Sequence, residues 1–205
     1  ALTDELLDDK QPFETWVLDR VIAHAADERT GGPVVEVGCG PGHTTAYLAA
    51  AGAEATGIDL TPEMIEQARE RFPGGRYEVG DLRRPMRPTT AEGWSAVLAW
   101  YSLIHLAPSE LPEAIASLVR PLAPGGWLVL GMHCGSDVRN NPTWFEREID
   151  LDFVFNEPAE VVALVEQAGL TEIEWYRRGP IPRGVRPPSG CTSWRARPEA
   201  ATPRP

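Results

Sequence analysis

The 205-residue chain predicts an α/β fold: a doubly wound, mostly parallel seven-stranded sheet with helices on both faces. Three observations carry this expectation. Short apolar or β-branched runs alternate with helical stretches of about 10 residues, a pattern that makes successive strands parallel and returns each connection across a sheet face. The run Val34-Val35-Glu36-Val37 is apolar at every position but one, as a strand covered on both faces should be. Glycine or proline punctuates most of the segments, where the chain must turn.

Taken in order, Leu6, Phe13, Trp16, Val17, Val21 and Ile22 recur at helical spacings and stop before Gly31-Gly32-Pro33, which reads as a helix and a turn. Residues 34–37 form the first strand, 44–51 an alanine-rich helix ended by Gly52, and 55–58 the second strand. Thr61-Pro62-Glu63 opens the next helix with an N-cap residue, a proline at the first position and an early acid, and Pro73-Gly74 stops it. Residues 77–79 and 96–100 are the third and fourth strands, followed by a helix over 112–119. The fifth strand, 127–132, follows the turn Pro124-Gly125-Gly126. A last helix covers 158–168, a sixth strand 171–176 and a seventh 192–196. The connection from Cys134 to Glu157 carries Trp144, Phe145, Phe153, Phe155, Asp150 and Asp152. Its length points to a lid or substrate loop, or to a helix covering the sheet. The expected organisation is one domain over residues 1–198, with this insertion around 134–157 and a loose C-terminal tail over 199–205.

Composition narrows the function. A hydrophobic fraction of 42% and a charged fraction of 24% are those of a folded globular chain. A formal net charge of -11 opposes a broad electrostatic hold on nucleic acid or anionic lipid, so neither is expected as a partner. The basic stretch with Arg177, Arg178, Arg183, Arg186, Arg195, Arg197 and Arg204 reads as a solvated edge. Three cysteines, Cys39, Cys134 and Cys191, lack CxxC spacing and leave an odd thiol in any disulfide scheme, which favours a reduced, cytoplasmic setting. No apolar run approaches the roughly 20 residues of a membrane span, and no metal-ligand cluster is spelled, so no metal is expected. The expected assembly is a monomer or homodimer.

In a sheet of this kind ligands bind at the carboxyl ends of the strands. There the chain carries Gly38-Cys39-Gly40-Pro41-Gly42-His43 directly after the first strand. Glycines at alternate positions let the backbone bend sharply and come close to a ligand, and the amides at the following helix start can hold a carboxylate. A dinucleotide-binding loop needs glycine or alanine where His43 or Thr45 stands, which disfavours pyrophosphate. Cys39 reads as a small space-filler, since no base is spelled beside it. Asp59 ends the second strand roughly 20 residues beyond Gly40, where this architecture puts a carboxylate for ribose hydroxyls. Asp81, after the third strand and Gly80, is an acceptor at the same edge. Trp100, Tyr101, Ser102 and His105 follow the fourth strand, and His133 ends the fifth. Trp100 and Tyr101 suit either a wall facing a cation or the core.

These segments resemble the class I S-adenosylmethionine-dependent methyltransferases of small molecules, from Val34 through about Trp175. The resemblance is carried by VVEVGCGPG, TGIDLTPEMIEQARERF, YEVGDLRRPM, WSAVLAWYSLIHL and LAPGGWLVLGMH, with LDFVFNEPAEVVALVEQAGL beyond them. It implies a Rossmann-like sheet and S-adenosylmethionine as cofactor, with S-adenosylhomocysteine as product. By the resemblance, Glu36, Gly38 and Gly40 surround the methionine moiety, Asp59 takes the ribose and Leu60 packs on the adenine, with Cys39, Gly42 and Met64 also expected among the cofactor-binding residues. Gly80, Asp81 and Leu82 meet the adenine edge, Asp81 taking the amino group and the Leu82 backbone a ring nitrogen. Trp100 stands near the sulfonium. The acceptor, a small molecule methylated on oxygen, nitrogen or carbon, is expected against Tyr101, His133, Trp144 and Phe145.

His105 is the candidate general base, because imidazole exchanges protons near neutral pH, with Tyr101 in reserve. A packing role between Ile104 and Leu106 also fits His105. Two other functions use similar loops: a cofactor-binding protein without methyl transfer, and a nicotinamide oxidoreductase. His43 and the four later motifs disfavour the latter.

Overall fold

The computed structural model describes residues 12–144, 147–178 and 190–198. In chain order the elements are α1 (Pro12–Ala25), β1 (Val34–Val37), α2 (His43–Ala50), β2 (Ala55–Asp59), α3 (Pro62–Arg71), β3 (Arg76–Val79) and β4 (Trp94–Trp100). A 3-10 turn follows (Leu103–His105), then α4 (Leu111–Val119), β5 (Leu122–Cys134), β6 (Val138–Trp144), β7 (Arg147–Asn156), α5 (Pro158–Gln167), β8 (Leu170–Arg178) and β9 (Gly190–Pro198). The tail over 199–205 lies outside the described residues.

The sheet runs β3-β2-β1-β4-β5, all parallel, and β9 then lies antiparallel between β5 and β8. All seven expected strands are present, and the expected doubly wound order holds. Two further strands bring the total among the described residues to nine: the connection after β5 is a hairpin, β6 antiparallel to β7, rather than a loop or a helix. Its reason is in the sequence 150–155, where Leu151, Phe153 and Phe155 alternate with Asp150, Asp152 and Val154; a period of two belongs to a strand. The expected turn Pro124-Gly125-Gly126 falls inside β5. Leu122 pairs with Trp94 and Trp127 with Ala96, so the intervening residues bulge from the ladder, with Gly125 at φ +76°.

Alternation along the central strands builds a core on each face. Val35, Val37, Val97, Ala99, Leu128 and Leu130 point to one side, where Leu111, Ile115 and Leu118 of α4 and Val161 and Val165 of α5 cover them. Val34, Ala96, Leu98, Trp127 and Val129 point to the other, under Leu18 and Val21 of α1 and Leu48 of α2. Arg178 of β8 and Glu14 of α1 form an ion pair at 2.6 Å. Among the described residues, no helix is long and apolar enough to cross a membrane.

Candidate active site

The alternation that places Val34 under α1 and α2 places Glu36 on the same face, beneath the first turn of α2. Its carboxylate is buried and accepts a hydrogen bond from the Thr45 hydroxyl at 2.5 Å. Burial pushes the Glu36 carboxyl up to about 7; the Thr45 and Thr44 hydrogen bonds oppose the rise, and the nearby Asp59 charge adds to it. Burial, then the charges of Glu36 and Asp59, push the Cys39 thiol up as well.

The three glycines of the loop do different work, though each has a left-handed φ: +70° at Gly38, +51° at Gly40 and +85° at Gly42. A Cβ on Gly38 would lie 2.3 Å from Cβ of Ser102, so the loop and the end of β4 are in contact. A Cβ on Gly42 would strike Ala68 and Tyr77, which pack α3 and β3 against the loop. A Cβ on Gly40 would meet no protein atom within 4 Å. Gly40 therefore borders open space, a cradle fit for a bound group.

Asp59 ties this loop to the next. One carboxylate oxygen accepts the Gly40 N–H at 2.8 Å, and the other accepts the Thr61 N–H at 2.9 Å. Thr61 holds the N-cap position of α3, but its own side chain makes no capping bond, and Asp59 serves the helix entrance instead. Beside it Leu60 is 62% exposed at the sheet edge, and Met64 is half-buried on α3. At the end of β3, Gly80 gives room to Ile58, and Leu82 packs partly onto the core. Asp81 is held by Arg83, whose Nε lies 3.1 and 3.2 Å from the two carboxylate oxygens and whose Nη2 lies 3.0 Å from Oδ2. These hydrogen bonds hold the Asp81 carboxyl below its ordinary value.

At the end of β4 the chain makes an unusual bend. Tyr101 has φ +57°, costly for a residue with a large side chain, and its N–H donates to the Gly131 carbonyl at 2.9 Å. Trp100 lies across Gly131, where a Cβ would come within 3.0 Å of the indole, and packs on the α1–α2 side of the sheet. Beyond Gly131, β5 continues past the end of β4. Its other edge is taken by β9, so β7 fills the place that β4 vacates, pairing Phe155 with His133 and Asn156 with Cys134. The hairpin thereby stands over the carboxyl end of β4.

This brings aromatic rings together. The His133 ring stacks on Phe155 at 5.0 Å and lies 5.4 Å from Tyr101 and 6.1 Å from Phe153. His105, exposed in the 3-10 turn, meets Phe153 edge-on at 5.1 Å. Its Nδ1 lies 3.0 Å from the Asp152 carbonyl oxygen. A carbonyl only accepts, so Nδ1 carries the proton, and in the neutral ring Nε2 keeps its lone pair. Tyr101 and His133 thus share one cluster with Phe153 and Phe155, which His105 joins through Phe153. Trp144 lies at the end of β6 beside the hairpin's turn, and Phe145 lies outside the described residues. The sequence reading missed Thr45, Arg83 and the Asp152 carbonyl. The DLDFVF alternation would have pointed to β7; nothing in sequence separation pointed to the other two contacts of Glu36 and Asp81 with Thr45 and Arg83.

Residues 34–126 match the family model described as a methyltransferase domain. A trans-aconitate 2-methyltransferase of Methylobacterium nodulans is 43% identical over 103 residues, 48% of this chain and 37% of that protein. A malonyl-[acyl-carrier protein] O-methyltransferase of Salmonella typhimurium is 34% identical over 101 residues, 49% of this chain and 39% of the relative. The chain thus spans less than half the length of either relative. Among solved structures, a SAM-dependent methyltransferase from Methanosarcina mazei superposes with TM-score 0.69 at 18% identity, over 82% of this chain and 92% of that one, a likeness of fold.

Proposed function

Because the chain belongs to the class I S-adenosylmethionine-dependent methyltransferases, we propose that it transfers a methyl group from S-adenosylmethionine to oxygen, nitrogen or carbon of a small-molecule acceptor. The observation that carries the reading is a row of acids. The strand order β3-β2-β1-β4 sets Asp81, Asp59 and Glu36 at the ends of three neighbouring strands, leading to Tyr101 and His105 beyond the fourth. A long nucleoside-bearing ligand laid along that edge has its base at Asp81 and Leu82, beside Leu60, Met64 and Gly80. Its ribose falls at Asp59 and its amino-acid end at the Gly38–Gly42 loop with Cys39, above Glu36. Its reactive centre then lies near Trp100.

When bound, S-adenosylmethionine supplies an electrophilic methyl group on a sulfonium centre. The chain's residues supply position and dryness. Gly40 leaves space for the ligand, Asp59 offers oxygens to two hydroxyls, and Tyr101, His133 and the β6–β7 hairpin enclose the acceptor in line with the methyl group, with Trp144 and Phe145 as further candidates for acceptor contact. A protonated acceptor oxygen or nitrogen passes its proton to His105 Nε2, because the Asp152 carbonyl holds Nδ1 in its protonated form. A carboxylate acceptor has no proton to lose and needs only positioning. The acceptors in the two relatives' names, trans-aconitate and malonyl-[acyl-carrier protein], are acids, so organic acids are the first acceptors to try.

We further propose one domain over residues 1–198 with the hairpin as its substrate-covering insertion, acting as a monomer or homodimer in a reducing, cytoplasmic setting without nucleic-acid or membrane partners. The test is a panel of organic acids, phenols and amines with labelled S-adenosylmethionine. A labelled acceptor appearing in step with S-adenosylhomocysteine supports the reading. Tight S-adenosylhomocysteine binding with no methylated product across the panel would favour a binding protein instead.

A further inference from the structure

We propose that Arg83 is a specificity-determining positioning residue: by gripping Asp81 it makes the base subsite select a purine carrying an amino group at carbon 6 and reject one carrying a carbonyl there. The inference rests on the proposed placement of the base at Asp81. It starts from an ion pair whose form is out of proportion to its place.

Asp81 and Arg83 sit two residues apart in the turn after β3, with side chains 27% and 52% exposed. An ion pair this open contributes little to folding. Yet its geometry is a two-pronged fork, Nε to both oxygens at 3.1 and 3.2 Å and Nη2 to Oδ2 at 3.0 Å, closed by the Arg83 N–H to Oδ1 at 2.9 Å. Such a fork fixes the carboxylate plane and rotamer. The guanidinium is steadied in turn by the negative field of Glu110 and Glu113, from α4 and the residue before it.

The chemical consequence is selectivity. A carboxylate held ionised can only accept hydrogen bonds, so it rewards a ligand N–H and repels a ligand carbonyl oxygen. Without the fork, Asp81 stays a carboxylate but can rotate away from the base, which relaxes the choice. Arg83 acts through Asp81 and need not touch the ligand. A merely structural Arg83 would support the turn alike for every ligand.

Calorimetry with two probes separates these roles: S-adenosylhomocysteine, and its 6-oxo counterpart S-inosylhomocysteine. The wild-type chain should prefer the adenine ligand by about 10- to 100-fold, as expected for a charged hydrogen bond exchanged for a repulsion. Arg83→Ala should narrow that preference about fivefold or more, chiefly by weakening the adenine ligand, and Arg83→Lys should narrow it nearly as much, since lysine keeps the charge and lacks the fork. Equal weakening of both ligands in Arg83→Ala, full retention of the preference in Arg83→Lys, or tighter adenine binding without Arg83 would each overturn the proposal. Asp81→Asn is the control on its premise. An unchanged preference in Asp81→Asn would mean that the base lies elsewhere, a failure distinct from one at Arg83. Melting curves of each variant check that the exposed substitutions leave the fold intact.

Discussion

The edge formed by β1, β2 and β3 and the edge formed by β4, β5 and the hairpin are built by different means. On the first, the contacts that shape the site are set by backbone and by short-range acids: left-handed glycines, Asp59 bonded to two amides, and Glu36 under α2. On the second they are ring against ring, between residues as far apart as His105 and Phe153 or Tyr101 and His133. On the proposed function, the cofactor would meet geometry that a motif can spell, and the acceptor would meet a hairpin that can change without disturbing the loop.

The sharpest way to break this contrast is inside the glycine loop. Gly40→Val should abolish S-adenosylhomocysteine binding, a loss of about 100-fold or more by calorimetry, because the side chain fills the ligand's space; the left-handed φ of +51° also makes valine cost some folding stability there. Gly38→Ala should instead lower the melting temperature, since its Cβ meets Ser102 within the protein. If the two variants behaved alike, the division between ligand space and protein contact would be wrong.

Next in size is the other edge. His105→Gln should cut turnover roughly 100-fold with a hydroxyl or amine acceptor and leave cofactor affinity nearly unchanged. With a carboxylate acceptor the same change should cost far less. Rapid turnover of a protonated acceptor by His105→Gln would remove the base from the mechanism.

Asp59→Ala should weaken S-adenosylhomocysteine at least tenfold, because charged hydrogen bonds to hydroxyls contribute about 1.5 to 3 kcal/mol each. The variant should also melt earlier, since Gly40 and Thr61 lose their shared acceptor. Unaltered affinity would take the ribose away from Asp59.

The smallest effect concerns pH. Folding raises the Glu36 carboxyl to about 7, so its protonated form favours the folded state; that contribution is full below the ordinary carboxylate value near 4.3 and is lost as pH rises through about 7. The ligand-free protein should therefore melt at a higher temperature near pH 5 than near pH 8, and Glu36→Gln should flatten the difference. A Glu36→Gln profile parallel to wild type would place the titration elsewhere.

What the sequence disclosed follows the same division. The strand Val34–Val37, the loop to His43 and the acid at Asp59 are local signals, and the structure has each element within a residue or two of its expected bounds. Asp59 stood out in the sequence as a carboxylate at a strand end, but its bonds to Gly40 and Thr61 did not, because they depend on how two loops approach. The hairpin was hidden because the unit of residues 134–157 was read for length and aromatic content, while its period of two lay in only six residues. The bulge in β5 was hidden because Pro124-Gly125-Gly126 has the composition of any turn, and only pairing with Trp94 reveals a strand on its far side.

The place of β9 has a consequence for how the protein is made. It follows β8 in the chain but lies inside the sheet, against β5 on one side and β8 on the other. On a ribosome adding about 5–20 residues per second, roughly 3 to 11 seconds separate the arrival of Cys134 from that of Gly190. For that interval the nascent chain presents the Leu128–Cys134 edge with no partner, a template for pairing with a neighbouring chain. Synthesis slowed between β8 and β9 should lower the yield of folded protein without altering any contact in the finished molecule.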